Sequence, residues 1–476
     1  MESPAPLARV VPRADHSISR AQISPNALRV LYRLKDAGFQ GFLVGGCVRD
    51  LLIGRTPKDF DVATNALPEE VKRLFRNCRL IGRRFRLAHV FFGSEIIEVA
   101  TFRAASAPAQ GEEPLADLDP EEGEGPELSE PEEFDADVAD TQGEESHVLD
   151  EHGRILRDNA YGTIDDDVWR RDFTANALYY NIADYSIWDY VGGLEDVLGR
   201  RLRVIGDPET RFREDPVRML RAARFAAKLD FTIDPPVLAA IHECAGLLAA
   251  APPARLFDET LKLFLAGHGA ASFAQLRRLG LLEVLLPTVE SYFRRHPHSL
   301  VEQLLERGLE NTDARVREGK SVTPTYLFAL LLYGPIAQAI EALPPNRWHE
   351  SGAILDACDA AARALAARVA LPRRFSLGVR EMFALQPRLE QPRGRRALRL
   401  LEHPRFRAAY DLLLLRAGLG LAPPDMAAWW TTLQAAAPEE RGRLADALSG
   451  GSTRGAGGTR RPRRRRRSGG GAKPAA

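Results

Sequence analysis

Two carboxylates, Asp59 and Asp61, lie two residues apart shortly after the glycine pair Gly45 and Gly46. The residues around the carboxylates alternate like a strand, so both side chains should share one face. Two negative charges this close repel each other unless a cation lies between them. Oxygen donors suit Mg²⁺, which usually completes its shell with water and substrate phosphate. The pair therefore predicts a magnesium site.

The glycine pair joins a short apolar run, residues 42–44, to a short helical pattern over residues 47–53. We interpret the run as a buried strand. Glycines let the backbone turn tightly and approach a ligand, and a helix N-terminus binds phosphate through its N–H groups. Arg49, in the first helical turn, adds a forked cation. A lone glycine pair is usually a turn and a lone aspartate pair usually surface, but together and in this order they predict nucleotidyl transfer.

Glu98 is the candidate for a third carboxylate beside the two aspartates. It lies in the last of three strand-like runs that single glycines separate, as in an antiparallel meander. A solvated strand residue is the alternative interpretation, which Ile96 and Ala100 on the same face weaken. The runs are residues 79–81, 89–92 and 96–102.

A basic helical pattern follows the head of the chain. Pro216 fits a helix start and Asp215 a cap. Arg218, Arg221 and Arg224 recur every three residues, so they lie on one helical stripe. The stripe could be a solvated basic face. In the functional interpretation, Asp215 and Arg218 present hydrogen-bonding edges to a base, and the other two arginines face phosphates.

Length and cysteine usage describe a chain of several domains in a reducing compartment. At 476 residues the chain can bury large cores. The four cysteines are scattered, with neither metal nor disulfide spacing. The N-terminus has no signal pattern, and no apolar run is long enough to span a bilayer. We therefore expect a cytoplasmic protein with no membrane-spanning segment.

The net charge of zero hides two charge blocks of opposite sign. No Lys or Arg occurs between Arg103 and Arg154, and residues 105–150 are rich in Asp, Glu, Pro and Gly. We expect a disordered acidic insertion that serves as a spacer. Residues 441–476 are rich in Gly, Arg and Ser, and should be a disordered tail that makes non-specific, salt-sensitive contacts with RNA phosphates. The candidate RNA-binding residues are Arg460, Arg461, Arg463, Arg464, Arg465, Arg466 and Arg467.

The opening motifs resemble those of a known family. Gly-Gly-Cys-Val-Arg-Asp, followed by Asp59-x-Asp61, is similar to the head of the class II nucleotidyltransferases of the DNA polymerase beta superfamily. That group holds bacterial poly(A) polymerases and tRNA CCA-adding enzymes. The resemblance implies template-independent transfer of a nucleotide to an RNA 3′ end, with ATP as the substrate for polyadenylation. It also implies a two-metal site in which Asp59 and Asp61 hold Mg²⁺.

Two further motifs extend the resemblance. Arg-Arg-Asp-Phe-Thr-Ala-Asn-Ala-Leu is similar to a second motif of the superfamily, which implies that Arg171 contacts the triphosphate or sugar. Asp172 is carried over as a catalytic acidic residue, although a helix N-cap is an alternative role that could also hold. Glu214-Asp215-x-x-Arg218 resembles the element that selects the incoming base with protein side chains.

Three features favour poly(A) polymerase over the CCA-adding enzyme. Residues 80–90 resemble a poly(A) polymerase signature, residues 400–411 resemble its C-terminal region, and the arginine-rich end looks like its RNA-holding tail. Polyadenylation that promotes RNA turnover is then the expected function. A tRNA CCA-adding enzyme is the alternative within the family. A non-catalytic RNA-binding scaffold is the alternative of another class, and the intact carboxylates argue against it.

The expected fold is α+β, with a small mixed or antiparallel-sheet nucleotidyltransferase head followed by an all-α neck, body and tail. Beyond about residue 230 the apolar periodicity predicts helices nearly throughout, including residues 398–415. The expected segments are a flexible leader (1–20), the head (21–104 and 151–205), the acidic insertion (105–150), a neck with the base-selecting motif (206–265), a helical body with the RNA-binding region (266–440) and the tail (441–476).

Overall fold

A computed structural model describes residues 8–82, 86–104, 148–149, 155–157, 161–348 and 350–450. It confirms the α+β class, because a mixed sheet near the N-terminus is followed by helices up to residue 450. Within the described residues, no helix is both long and apolar enough to cross a membrane. Most of the acidic insertion and the arginine-rich end beyond residue 450 lie outside these residues.

The strands are β1 Arg9–Val11, β2 Gly41–Val44, β3 Asp61–Thr64, β4 Cys78–Ile81, β5 Leu87–Phe92, β6 Glu95–Thr101, β7 Val148–Leu149, β8 Ile155–Arg157, β9 Leu178–Asn181, β10 Ile187–Asp189, β11 Arg201–Leu202 and β12 Thr232–Ile233. The helices up to residue 264 are α1 Pro25–Asp36, α2 Gly46–Leu52, α3 Pro68–Leu74, α4 Ile164–Trp169, α5 Gly193–Leu198, α6 Pro208–Glu214, α7 Val217–Leu229, α8 Pro235–Cys244 and α9 Pro253–Phe264.

The later helices are α10 Gly269–Arg278, α11 Leu281–Leu285, α12 Pro287–Arg295, α13 Leu300–Arg317, α14 Pro324–Leu331, α15 Tyr333–Glu341, α16 Ser351–Ala366, α17 Arg373–Glu390, α18 Arg396–Leu401, α19 Phe406–Ala417, α20 Pro424–Ala435 and α21 Pro438–Gly450.

The head is an eight-stranded sheet in the order β1-β10-β9-β2-β3-β6-β5-β4. Neighbouring strands are antiparallel except β3 and β6, which run parallel. The predicted meander is confirmed as β4, β5 and β6. The parallel pair brings the start of β3, which carries Asp61, beside the middle of β6, which carries Glu98.

Helices cover both faces of this sheet. Leu43 and Val62 point to the face covered by α1, where they join the main hydrophobic core. Phe42 and Ala63, one position away along the same strands, point to the other face and pack with Val168 of α4. Because both faces of β2 and β3 are buried, the register that positions Asp61 is strongly specified.

The first helix is capped at both ends. The Ser24 hydroxyl accepts hydrogen bonds from the N–H groups of Asn26 and Ala27, and Pro25 occupies the first helical turn. On the inner face of α1, Leu31 and Leu34 are fully buried, whereas Leu28 is only partly buried. The helix ends before Gly38, whose φ of 87° fits a left-handed stop.

The chain beyond the head is mainly helical, as expected, whereas its division into a neck and a body stays a prediction. The main core continues through α7 and α9 to α17, and a second core lies between α17 and α21. Trp430 is fully buried in that second core and donates a hydrogen bond to the Leu389 carbonyl oxygen (2.8 Å). Trp429 packs against it in an edge-to-face contact.

Three sequence predictions need correction. Residues 9–11 form β1 at the edge of the sheet, and Ile18 is fully buried, so the predicted flexible leader is wrong for this part of the chain. Helix α21 continues to residue 450, so the predicted disordered tail is wrong for residues 441–450. Residues 398–415 belong to two helices, α18 and α19. Pro404 lies between them, where its ring would not continue a helix.

Replacing Ile18 with Ala should lower the free energy of unfolding by about 3 kcal/mol, because the side chain leaves a cavity in the core. Urea unfolding of the full chain measures the change. Arg13→Ala, at an exposed position of the same segment, should stay within about 0.5 kcal/mol of the parent. If both variants matched the parent, residues 8–20 would not be packed in solution.

Candidate active site

The glycine pair forms the turn between β2 and α2. Gly45 has φ 74° and ψ −126°, a backbone conformation that essentially requires glycine. Its N–H donates to the Leu178 carbonyl oxygen (3.2 Å), which fixes the turn against β9. The helix that follows begins at Gly46, and its first N–H groups lack intrahelical partners. The turn therefore offers backbone donors to a phosphate.

The carboxylates lie beside this turn. Asp59 is exposed in the loop before β3, and Asp61 is the first residue of the strand. Phe60, between them, is buried, so the two carboxylates are directed away from the core. Asp61 is the direct register partner of Glu98 on the parallel strand β6, which places those two side chains on one face.

The surroundings of the carboxylates favour oxygen ligation. Burial and the charge of Asp61 raise the pKa of the Cys47 thiol to about 12, so the thiol stays protonated. His89 Nε2 lies 3.5 Å from Glu98 Oε2, and burial lowers the pKa of this imidazole. Two carboxylates plus substrate phosphate are an ordinary donor set for a hard divalent cation. In the ranges that the structure describes, no three His, Cys, Asp or Glu side chains are grouped to hold a metal, so a ligand role of Glu98 stays a prediction.

Arg171 lies next to the glycine turn, as its predicted phosphate role requires. A Cβ atom on Gly45 would lie 3.7 Å from Arg171 Nη1. The guanidinium is held by Asp167 Oδ2 (2.7 Å from Nη2) and by the Tyr179 hydroxyl oxygen (2.8 Å from Nε). Burial alone would raise the pKa of Asp167, but Arg171 and Arg170 hold the pKa of this carboxyl well below its usual range. The buried aspartate therefore fixes the arginine in position.

Asp172 is engaged with protein groups. Its Oδ2 accepts from Arg221 Nε (2.8 Å), and its Oδ1 accepts from the Phe173 N–H (2.7 Å) and from Asn176 Nδ2 (3.2 Å). Burial alone would raise the pKa of Asp172, but the Arg221 charge lowers it. The N-cap alternative is wrong, because Phe173 occupies the cap position of the 3-10 turn Thr174–Asn176. Through these contacts Asp172 positions Arg221 and Asn176. A catalytic role of Asp172 stays a prediction.

Arg49 is buried and lies at the base of the turn. It is 1% exposed, and its guanidinium donates to Asp50 Oδ1 (2.9 Å from Nε) and to Asn176 Oδ1. These contacts do not support the predicted role as a free cation for phosphate. Asn176 thereby bridges Arg49 and Asp172, a role that the sequence interpretation missed although the residue lies in the quoted motif.

The base-selecting motif lies between α6 and α7. Arg218 donates through Nη1 to Glu214 Oε2 (3.0 Å) and to the Arg211 carbonyl oxygen (2.8 Å). Asp215 Oδ2 accepts from Arg255 Nη2 (2.9 Å). The Arg218 and Asp215 side chains are only 5% and 9% exposed, whereas Glu214 is 46% exposed. In this structure both side chains are therefore held by protein groups, and their contact with a base stays a prediction.

The rest of the arginine stripe is also paired internally. Arg221 binds Asp172, as described, and Arg224 Nε lies 2.6 Å from Glu259 Oε1 of α9. Both guanidinium groups stack on the Phe225 ring, at 5.6 and 4.7 Å from its centroid. These ion pairs join α7 to the head and to α9, and the phosphate role of the two arginines stays a prediction.

Several positioning residues were missed because their partners are distant in sequence. Arg211 Nη2 donates to the Arg170 and Arg171 carbonyl oxygens (3.1 and 2.7 Å), which attaches α6 to the second motif. Spacing within a motif cannot show such contacts. Arg255, Glu259 and, in its contact with Arg49, Asn176 are of the same kind. Asp167 was missed although Arg170 and Arg171 are only three and four residues away, because it precedes the quoted motif. The candidate RNA-binding arginines at positions 460–467 lie outside the described residues.

Three family models match this chain. The poly A polymerase head domain matches residues 41–203, and the probable RNA and SrmB-binding site of polymerase A matches residues 230–293. The polymerase A arginine-rich C-terminus matches residues 346–468. The first match covers the glycine turn, the carboxylates and the second motif together.

Relatives of known activity align with nearly the whole chain. Poly(A) polymerase I of Salmonella typhi is 45% identical over 447 residues, which cover 92% of this chain and 89% of the relative. Poly(A) polymerase I of Haemophilus influenzae is 42% identical over 442 residues, or 91% and 90% of the two chains. The CCA-adding enzyme of Lactobacillus helveticus is 33% identical over 247 residues, only 52% of this chain and 51% of the relative.

Solved structures share the fold at low identity. A tRNA-processing enzyme in an apo form has a TM-score of 0.55 at 19% identity and covers 88% of this chain and 99% of its own. A tRNA nucleotidyltransferase complexed with a primer tRNA and an incoming ATP analog has a TM-score of 0.52 at 21% identity, covering 85% and 98%.

Fold and site together define a nucleotidyltransferase, a class that uses a nucleoside triphosphate and divalent metal. Within that class, the chain belongs to the poly(A) polymerase family and is a polynucleotide adenylyltransferase. The CCA-adding enzymes are more distant relatives.

Asp167→Asn should lower the free energy of unfolding by about 3 kcal/mol at pH 7, because it leaves the Arg171 charge partly buried without a carboxylate. Since the folded-state pKa of Asp167 is depressed, its contribution is complete above about pH 5 and is lost as the pH falls below about 4. The difference between parent and variant should therefore shrink towards pH 3. Denaturant titrations from pH 3 to pH 7 measure it.

Asp165→Asn is the matched control, two residues earlier in the same helix. Among the described residues, Asp165 has no ion pair. The free energy of unfolding of Asp165→Asn should therefore stay within about 0.5 kcal/mol of the parent at each pH. A parent-minus-variant difference for Asp167→Asn that stayed constant over this pH range would contradict the assignment of the ion pair.

Proposed function

We propose that this enzyme adds AMP from ATP to RNA 3′ ends with Mg²⁺ held by Asp59 and Asp61, without a template, and releases pyrophosphate. The observation that carries the proposal is the position of Asp61. It lies in register with Glu98, close to a glycine turn that offers backbone donors. The 45% identity to a poly(A) polymerase I over 92% of the chain supports RNA polyadenylation rather than another nucleotidyl transfer.

The residues of this chain act mainly by positioning. The Gly45–Gly46 turn brings backbone N–H groups to the triphosphate, and Arg171 adds a fixed positive charge beside it. The 3′-hydroxyl oxygen forms a bond to the α-phosphorus as the bond to pyrophosphate breaks, and the hydroxyl proton is released. When bound, the divalent ions balance the phosphate charge and lower the pKa of the hydroxyl. Holding both reactants in line supplies much of the remaining rate enhancement.

Base choice in this proposal depends on the rigid contacts around Glu214. Its carboxylate is the exposed member of the motif and receives hydrogen bonds from Arg211 Nη1 (2.8 Å) and Arg218 Nη1 (3.0 Å). Asp215 is held from the other side by Arg255. A site whose polar groups are fixed by partners discriminates better than one that rearranges, because its donors and acceptors cannot move to match a wrong base. We propose that this network selects adenine.

Two further aspects of the proposal concern the surroundings of the reaction. The match of residues 346–468 to an arginine-rich C-terminus supports RNA binding by the end of the chain, including the arginines at positions 460–467. Four free cysteines, all buried, fit a reducing cytoplasm, where such a polymerase would tail RNA destined for turnover.

Asp61→Asn should reduce AMP incorporation by about a thousandfold, because loss of one carboxylate charge weakens stabilisation of the transition state. A gel assay with ATP, Mg²⁺ and an unstructured RNA primer measures it, and a filter-binding assay should show unchanged RNA affinity. Asp230→Asn, at a side chain that is 90% exposed, should retain the parent rate. Retained activity of Asp61→Asn would contradict the metal-site assignment.

Separate incubation with each of the four nucleotides should give long tails with ATP alone. We expect CTP to be incorporated at least about a hundredfold more slowly, since it leaves the fixed donors and acceptors of the motif unpaired. Efficient use of CTP with a stop after a few additions would instead indicate CCA addition. No incorporation of any nucleotide in the presence of Mg²⁺ would indicate an RNA-binding scaffold.

A further inference from the structure

A groove lies along the outer face of α1, on the side opposite its buried stripe. It has a volume of about 810 Å³ and runs between α1 and residues 75–77. Its floor is apolar, because Leu28 and Phe92 are only partly buried there and Phe75 closes the bottom. This is an open, unfilled surface on the head.

The rim of the groove is basic. Arg29, Arg33 and Arg76 line it and are exposed, against the single carboxylate of Asp36. Arg33 stacks over the Phe75 ring, 5.5 Å from its centroid, and Arg29 donates to the Asn26 side chain. Within the described part of the chain, none of the three arginines forms an ion pair with a carboxylate. The groove therefore suits an acidic ligand with an apolar side chain.

The groove does not lie on the way to the carboxylate site. Val62 points to the sheet face covered by α1. Asp61 precedes it on the strand, so its side chain points to the opposite face. An RNA whose 3′ end lies at Asp61 would have to pass around an edge of the sheet to fill the groove. A basic groove with aromatic rings also suits single-stranded RNA, but its position favours another occupant.

The acidic segment of the chain follows the end of β6. Residues 105–147 contain 16 Asp and Glu and no Lys or Arg. The residues just before it are connected to the loop between α1 and β2, since the Phe102 N–H donates to the Thr64 carbonyl oxygen and the Thr64 hydroxyl donates to the Gln40 carbonyl oxygen, four residues after α1 ends. At about 3.3 Å per residue, the segment can extend roughly 140 Å, far more than the length of α1.

One part of this segment matches the chemistry of the groove. Phe134 follows Glu132 and Glu133 and precedes Asp135 and Asp137. A phenyl ring fits an apolar floor, and carboxylates on both sides fit a rim of three arginines. Each exposed ion pair is weak, but the tether gives an effective concentration on the order of millimolar, so that several weak contacts suffice.

We propose that the groove along α1 binds the acidic segment of the same chain, with Phe134 on the apolar floor and the neighbouring carboxylates on the arginine rim. The interaction couples the segment to the head without involving the carboxylate site. It is independent of the proposed function, since it requires neither ATP nor RNA.

Photo-cross-linking of the full-length protein tests the proposal. With p-benzoylphenylalanine at position 134, irradiation should give intramolecular cross-links that peptide mass mapping assigns to residues 25–36 and 75–77. The triple variant Arg29→Glu, Arg33→Glu, Arg76→Glu should reduce their yield at least fivefold. Raising the salt to about 0.5 M should also reduce it, because ions screen exposed charges.

A control triple variant removes the same charge elsewhere. Arg13→Glu, Arg278→Glu and Arg307→Glu change exposed arginines that do not line the groove, and the cross-link yield should stay within twofold of the parent. Equal losses in both triple variants, or cross-links that map mainly outside the groove, would overturn the proposal.

A charge swap separates loss of binding from loss of folding. Glu132→Lys, Glu133→Lys, Asp135→Lys and Asp137→Lys, added to the groove triple variant, should restore the cross-link at least threefold. No restoration would overturn the proposal.

Two other outcomes would identify a different occupant and overturn the proposal. Cross-linked dimers whose yield rises with protein concentration would identify a second copy of the chain. A 4-thiouridine RNA that cross-links to residues 25–36 equally with and without the segment would identify RNA instead.

Discussion

The ion pair between Arg221 and Asp172 is the contact on which the arrangement of the site depends. It joins α7, the helix that follows the base-selecting motif, to the second motif of the head, with Nη2 and Oδ2 2.7 Å apart. Both side chains are mostly buried, so that removing either one would leave a charge in a poorly solvated place. The same aspartate reaches Asn176 and, through it, the buried Arg49 below the glycine turn. The glycine turn and α7 are thus parts of one hydrogen-bonded unit.

The internal use of charge gives the site a rigid frame. Of the three arginines in the stripe, each is neutralised by a carboxylate from a different direction: Glu214 in the motif itself, Asp172 in the head and Glu259 in α9. Arginine suits this role because its planar fork can bond to a carboxylate and stack on a ring together. Phe225 provides that ring for two of them. Arg171, beside Gly45, remains the guanidinium best placed to meet a triphosphate.

Local structure and chemical class could be predicted from the sequence, whereas pairing partners could not. The apolar run before Gly45 and the alternation around Glu98 depend on neighbours within a few residues, and the structure confirms both strands. The three-residue strand β1 is too short to show a periodic pattern, and its pairing depends on a strand far along the chain. Helical spacing likewise shows which arginines share a face but not which acids pack against that face. Asn176 carried a signal, since it lies inside a recognised motif, but its two partners become apparent only once the chain is folded.

The pairing of β1 with β10 has a consequence for synthesis of the protein. Arg9 is the register partner of Asp189, so that the first strand of the sheet meets its neighbour only after some 180 further residues. At bacterial translation rates of about 5–20 residues per second, this interval is roughly 10–40 s. The head therefore cannot close while its first half leaves the ribosome. Throughout that time Val11 and Ile18, later buried, belong to a segment whose strand partner does not yet exist, so they add to the hydrophobic surface that a nascent chain exposes.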